Sequence, residues 1–141
     1  MKGYGLLEQG DTTRAITAMH RATQADPDYY EAFLKLGQLL SSKDPPLADE
    51  YFNAAIRIKP NSEEALYMYA YHLQSTNRIN EAIQQYEKLI ILNPVNKYAY
   101  YNLGYIYLVY KNDYNKSIYN FTKSIEIDSS YAEAYYNRGL A

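Results

Sequence analysis

Tyr100-Tyr101-Asn102-Leu103-Gly104-Tyr105-Ile106-Tyr107 is the stretch that decides how this chain folds. Tyr100, Leu103, Gly104 and Tyr107 stand at offsets of 0, 3, 4 and 7, which share one face of an α-helix. The same offsets recur upstream as Leu66, Tyr69, Ala70 and Leu73, and again as Phe33, Leu36, Gly37 and Leu40. After each of these helices comes a second stripe, built around a large residue at offset 4: Ala48, Phe52, Ala55; Ala82, Tyr86, Leu89; Ser117, Phe121, Ser124. Ala15, Met19 and Ala22 form an earlier copy. A small residue on each helix lets two backbones approach, and the large one fills the next gap. Gly37 and Gly104 are therefore expected where two helices touch. Neither helix of a pair can bury its stripe alone, so neighbouring pairs must stack.

Punctuation supports the same period. Pro27, Pro60 and Pro94 stand 33 and 34 residues apart, each after a polar residue that closes an apolar helical stretch. Pro disfavours helix in the residue before it and cannot donate to the preceding turn. Asp128-Ser129 holds the same place without a Pro. The periodicity predicts nine helices and no strand, near 2–9, 12–25, 29–41, 46–59, 62–75, 79–92, 96–110, 114–127 and 131–140.

With these residues in register, the chain resembles the tetratricopeptide repeat family. Its signature is an aromatic-x2-Leu-Gly-x2-Tyr helix, then Ala-x3-Phe, then Pro. Tyr100-x2-Leu103-Gly104-x2-Tyr107 matches the first half, and Phe33-x2-Leu36-Gly37 with Ala48-x3-Phe52 and Pro60 gives a nearly full repeat. The resemblance covers the whole chain as one repeat domain, 1–141: a partial repeat 1–28, repeats 29–61, 62–95 and 96–130, and a partial repeat 131–141. It implies an all-α, right-handed α-α superhelix of about four helix pairs plus a terminal helix, the first helix of each pair lining the concave side. The second repeat is one residue short between Gly37 and Ala48. The fourth is one residue long around Tyr110-Lys111-Asn112 and uses Ser at both small positions. Both turns are expected to be locally irregular. Tyr135, Tyr136 and Leu140 have no following helix to cover them, which reads as a fragment of a longer array.

Composition excludes several classes. Among 141 residues, 14 Lys and Arg face 16 Asp and Glu, for a net charge of −2. A nucleic-acid binder needs a basic stripe to release counterions, and a binder of anionic lipid needs a basic patch. Mean hydropathy is −0.52. No apolar run approaches the roughly 20 residues that span a bilayer. With no Cys, thiolate metal sites and Cys nucleophiles are out. His20 and His72 stand alone on different repeats, and no acidic pair is flanked by a nucleophile or base. No enzyme activity, cofactor or metal is expected. The sequons Asn115-Lys116-Ser117 and Asn120-Phe121-Thr122 lie on a predicted helix, where chance explains them. The Tyr, Asn, Ile and Lys bias is that of an AT-rich bacterial genome, which leaves cytoplasm and periplasm both open.

What remains is a surface. The chain carries 19 Tyr against 3 Phe and no Trp, so nearly all its aromatic mass bears a hydroxyl. Positions two before and one, five and eight after each anchor share a face distinct from the core face. They read Glu31, Leu34, Gln38, Ser41; Glu64, Tyr67, Tyr71, Gln74; Tyr98, Tyr101, Tyr105, Leu108; then Glu133 and Tyr136, with Tyr4 in the first partial repeat. The groove is thus expected to pass from polar and acidic to a tyrosine floor: Tyr67, Tyr71, Tyr98, Tyr101, Tyr105, Leu108 and Tyr136. Tyr offers large area, few rotors and a hydroxyl, which suits a binding surface for a peptide or protein partner. The carboxylate clamp that some members of the family use needs inward Lys and Asn, and these places hold Leu34, Gln38, Tyr67, Tyr71, Tyr101 and Tyr105 instead. Self-association into a weak homodimer through the terminal helices is the structural alternative, because open apolar ends are sticky.

Overall fold

The computed structural model describes the backbone of residues 2–130 and 132–140, and the side chains of 12–130 and 136–140. Among the described residues there are eight helices and no strand: α1 (Lys2–Ala25), α2 (Tyr30–Leu40), α3 (Pro45–Ile58), α4 (Glu63–Ser75), α5 (Ile79–Leu92), α6 (Lys97–Val109), α7 (Tyr114–Ile127) and α8 (Ala132–Leu140). From α2 onward every boundary lies within one residue of its expected place.

The first element differs from expectation. The break expected between helices 2–9 and 12–25 does not occur, and α1 runs unbroken through Gly10-Asp11. A lone Gly costs a helix about 1 kcal/mol relative to Ala, and no Pro stands there to remove a hydrogen bond. The expectations for Tyr4 and Tyr135 fall on side chains outside the described residues.

Short polar residues start the later helices. The Asp44 carboxylate accepts from the Leu47 N–H, Asn96 Oδ1 from those of Tyr98 and Ala99, and Asp113 from that of Lys116. The turns after α4 and α6 each place one Asn in the left-handed region, Asn77 at φ 62° and Asn112 at φ 52°. Asn tolerates that conformation better than most side chains. The turn after α2 dispenses with such a residue and enters α3 through Pro45, and the missing residue of that repeat is taken from α2, which is 11 residues long against 13 for α4 and α6.

The helices fall into two compact units, Met1–Met68 and Tyr69–Ala141, with the boundary inside α4. In the first unit α1 packs on α2 and α2 on α3. Phe52 is buried, and a Cβ placed on Gly37 would lie 2.9 Å from its ring. Tyr51 lies beside Phe33, with ring centroids 6.0 Å apart, and its hydroxyl pairs with His20 Nδ1 at 2.8 Å. The Tyr30 hydroxyl pairs with Ser62 Oγ at 2.5 Å.

In the second unit α6 packs on α5 and α7, and α8 packs on α6 and α7. The Gly104 and Phe121 pair repeats the geometry of Gly37 and Phe52, at 2.7 Å. Tyr86 holds the equivalent place in α5, fully buried, and donates its hydroxyl to Gln74 Oε1 at 2.9 Å. The two Ser of α7 do more than stay small. Ser117 Oγ donates to the Gly104 carbonyl at 2.9 Å, and Ser124 Oγ to the Lys97 carbonyl at 3.1 Å. Buried hydroxyls are tolerated there because each has an acceptor on the partner helix.

Lys97, at the start of α6, pairs with Asp128, at the end of α7. The Lys97 ammonium, together with the Ser130 hydroxyl and backbone N–H, holds the Asp128 carboxyl down at about 2 from an ordinary 3.8. Because the folded state holds that proton less tightly than the unfolded chain, the stabilisation is present above 3.8 and is lost as pH falls toward about 2. Asp128→Asn should therefore unfold at lower urea than wild type at neutral pH, with the gap closing across that acid range. A gap that does not change with pH would refute the linkage.

Candidate functional site

The tyrosines proposed from helical offset separate into distinct settings once the helices pack. Tyr71, on the last turns of α4, and Tyr101 and Tyr105, on α6, line one open cleft of about 320 Å³ within the second unit. Gln74, Ser75, Asn102 and Tyr110 complete its lining. Each wall has a local cause. The offset of five residues from Leu66 and Tyr100 turns Tyr71 and Tyr105 away from the core stripe. Gln74 is held by the Tyr86 hydroxyl, and Ser75 Oγ donates to the Tyr71 carbonyl at 2.9 Å. Asn102 is mostly buried, and its amide donates to the Tyr98 carbonyl at 2.8 Å.

The cleft floor is anchored in the core. Tyr101, Tyr105 and Leu108 pack against the buried pair Phe121 and Ile125, and the Tyr101 and Phe121 ring centroids lie 5.7 Å apart. From α8, Asn137 Nδ2 donates to the Tyr101 hydroxyl at 2.9 Å. The two α6 tyrosines are thus half-buried and fixed, while Tyr71 stands 54% exposed on the opposite wall. Tyr110 closes one end, its ring edge-on to Tyr105 at 6.3 Å and 69°.

The other proposed residues lie elsewhere. Tyr98 is 50% exposed at the start of α6, with the Lys97 ammonium 5.1 Å from its ring centre. Tyr136 on α8 is 70% exposed. Leu108 packs on Phe121 and Ile125 alongside Tyr101 and Tyr105, and Tyr67 is half-buried in the first unit. None of these four lines the cleft. Ser75, Asn102 and Tyr110 were missed by the offset rule. Tyr110 sits where the repeat carries its extra residue, so the register of the helix could not place it. That added residue was itself the available signal.

The first unit has its own cleft, of about 500 Å³, and it gathers the inner positions Glu31, Gln38 and Glu64 with the apolar Leu34. It is less acidic than expected, because Lys35 and Lys59 also line it. Lys59 reaches in by lying 4.4 Å over the Tyr30 ring. Elsewhere in the second unit, burial with Glu87 and Asp113 nearby pushes the Tyr107 phenol up. Among the described residues no three His, Cys, Asp or Glu side chains converge as metal ligands, and no helix is long and apolar enough to cross a membrane.

Comparison with known proteins agrees with this architecture. A family model described as Tetratricopeptide repeat matches residues 1–63 and 67–112, and one described as TPR repeat matches 108–141. The chain is similar to the UDP-N-acetylglucosamine--peptide N-acetylglucosaminyltransferase of Giardia intestinalis, 29% identical over 69% of this chain and 7% of that protein. It is similar to the mitochondrial import receptor subunit TOM70 of Rattus norvegicus, 32% identical over 62% of this chain and 14% of that one. It thus spans only a small part of either curated relative. Among solved structures, the crystal structure of MamA superposes with a TM-score of 0.83 at 30% identity, covering 94% of this chain and 78% of that one.

Proposed function

Given that the chain belongs to the tetratricopeptide repeat family, we propose that it is a non-catalytic interaction module that holds a peptide or protein segment in the tyrosine cleft of its second unit. The observation that carries this reading is the cleft itself. Tyr71, Tyr101 and Tyr105 come from two successive first helices and meet around one opening. Rigid aromatic floors with hydroxyl handles are what interface hot spots favour. Tyr98 and Tyr136 offer further exposed ring area in the same unit, and Leu108 shares the packing of the floor tyrosines on Phe121 and Ile125. Tyr67 belongs to the other unit and is a separate candidate there. That TOM70 is an import receptor subunit supports a role in recognising proteins. The match to the transferase covers 7% of that enzyme, which is no ground for catalysis here.

A peptide array probed with the intact chain should find binders, with a micromolar constant, about −8 kcal/mol, as the expected scale. Changing Tyr71 and Tyr105 together to Ala should abolish binding while the helical circular dichroism stays. Because none of the described side chains that line the cleft is ionised, binding should also survive added salt. Binding retained by the double variant would exclude this surface.

A second reading is self-association, favoured by the exposure of Tyr114, Ile118, Tyr136 and Leu140 in the second unit. Sedimentation at rising concentration should then show a weak dimer that Leu140→Glu with Tyr136→Glu disperses. A monomer at all concentrations would dismiss it.

A further inference from the structure

We propose that another cleft of the second unit docks a protein segment in which a basic and an acidic side chain flank a large apolar one. Helix α6 supplies Tyr101, Asn102 and Tyr105 to the tyrosine cleft and Tyr100, Leu103 and Tyr107 to this one. By the helical period the two sets face opposite ways. This cleft, of about 350 Å³, is thus a separate site and does not rest on the tyrosine cleft. Because α6 packs on both α5 and α7, it forms the floor and they form the walls.

Charge is the first argument. Glu87 lines the cleft from α5 and Lys116 from α7, and both are exposed. Among the described residues neither forms an ion pair. The Lys116 ammonium lies 5.3 Å from the Tyr107 ring centre, and Glu87 faces the same residue, helping to push its phenol up. Asp113, the other carboxylate near that phenol, caps α7 by accepting the Lys116 backbone N–H at 3.2 Å. Two turns beyond Lys116, Lys123 adds to the basic side of α7, its ammonium 5.6 Å from the Tyr119 ring centre. A segment of one sign would be attracted at one wall and repelled at the other. A segment that carries both signs is matched at each.

Apolar surface is the second argument. Tyr100 and Leu103 are buried in the floor, Ile90 is half-buried beside them, and Tyr119 stands 58% exposed at the rim. An apolar side chain laid against them supplies the affinity, while exposed ion pairs add little and chiefly set which partner docks. Alternate side chains of an extended segment share a face. A base, an apolar group and an acid at alternate positions therefore meet Glu87, the floor and Lys116 together.

The test uses the intact chain carrying Tyr71→Ala and Tyr105→Ala, so that the tyrosine cleft takes no part, and fluorescence anisotropy of three capped, labelled peptides. Each has a central Leu with Gly on both sides and, beyond these, Lys and Glu, two Lys, or two Glu. The peptide with Lys and Glu should bind about fivefold tighter than either of the others, and added salt should narrow the gap. Glu87→Lys should turn the preference to the two-Glu peptide and Lys116→Glu to the two-Lys peptide, and both changes together should restore the first order. Both residues are exposed, and circular dichroism would verify the fold. A merely structural effect of the reversals would weaken all three peptides alike without changing their order. That result, no binding, or equal binding of the three would overturn the proposal. An order shown by the wild-type chain but lost with Tyr71 and Tyr105 would assign the peptides to the tyrosine cleft and would overturn it too. Failure of the tyrosine cleft in its own test would leave this site standing.

Discussion

Phe121→Ala should lower the unfolding free energy by about 3–5 kcal/mol, the usual cost of emptying a buried phenyl site. Phe121 is fully buried. Its ring fills the space left by Gly104 and supports Tyr101, Tyr105 and Leu108 from behind. Helix α6 is pinned to α7 at its start and in its interior, by Ser124 on the Lys97 carbonyl and Ser117 on the Gly104 carbonyl. The backbone can thus collapse little into the cavity, which puts the cost toward the upper part of that range. Urea unfolding with an unchanged slope would measure it. A midpoint near wild type would mean that α6 and α7 are not held by this ring. Because the cleft floor rests on Phe121, the same variant should also weaken any ligand of the cleft.

The second large effect is the reverse change at the same contact. Gly104→Leu should destabilise by about 1–3 kcal/mol through overpacking. Even the first added atom would lie 2.7 Å from Phe121 Cδ1, and the ring is the close-packed centre of the unit. Gly139 supplies the control, since nothing lies within 4 Å of its added Cβ. Gly139→Ala should be neutral or stabilise by up to about 1 kcal/mol, because Ala is the better helix former. The two sites on either side of the contact should also be coupled. Gly104→Ala should cost less in the Phe121→Ala background than alone, because the ring it strikes is gone. Additive costs would place the two residues apart.

Much of this was legible beforehand because it depends on local spacing. Phe33, Leu36, Gly37 and Leu40 repeat at helical offsets, and so do their counterparts around Leu66 and Tyr100. Any chain with that pattern must form helices whose small positions face a large one. The pairing of Gly37 with Phe52 and of Gly104 with Phe121 follows from the same register. The structure adds the caps at Asp44, Asn96 and Asp113, where a short acceptor precedes the apolar stripe. These features need only the 3.6-residue period, capping chemistry and the volumes of side chains.

The continuity of α1 and the membership of the cleft were not local matters. Gly10 can bend a chain or sit within a helix at modest cost, and composition alone does not choose. For the tyrosines, an offset along a helix sets the angle of a side chain about its own axis and nothing more. Whether Tyr98, Tyr101 and Tyr105 meet Tyr71 depends on how far α6 slides along α4, and on the course of the turn that carries Tyr110. That turn has one residue more than the turn after α4, and Asn112 stands in it at φ 52°. Residues with one helical address therefore end in different settings: Tyr101 and Tyr105 line the cleft, Leu108 packs on the same buried pair without lining it, and Tyr98 is half exposed. Sequence by itself determined the helices, their pairing and the surplus of tyrosine. The tertiary packing decided which of those tyrosines line one cleft, because side chains from different helices meet only through the relative placement of their axes.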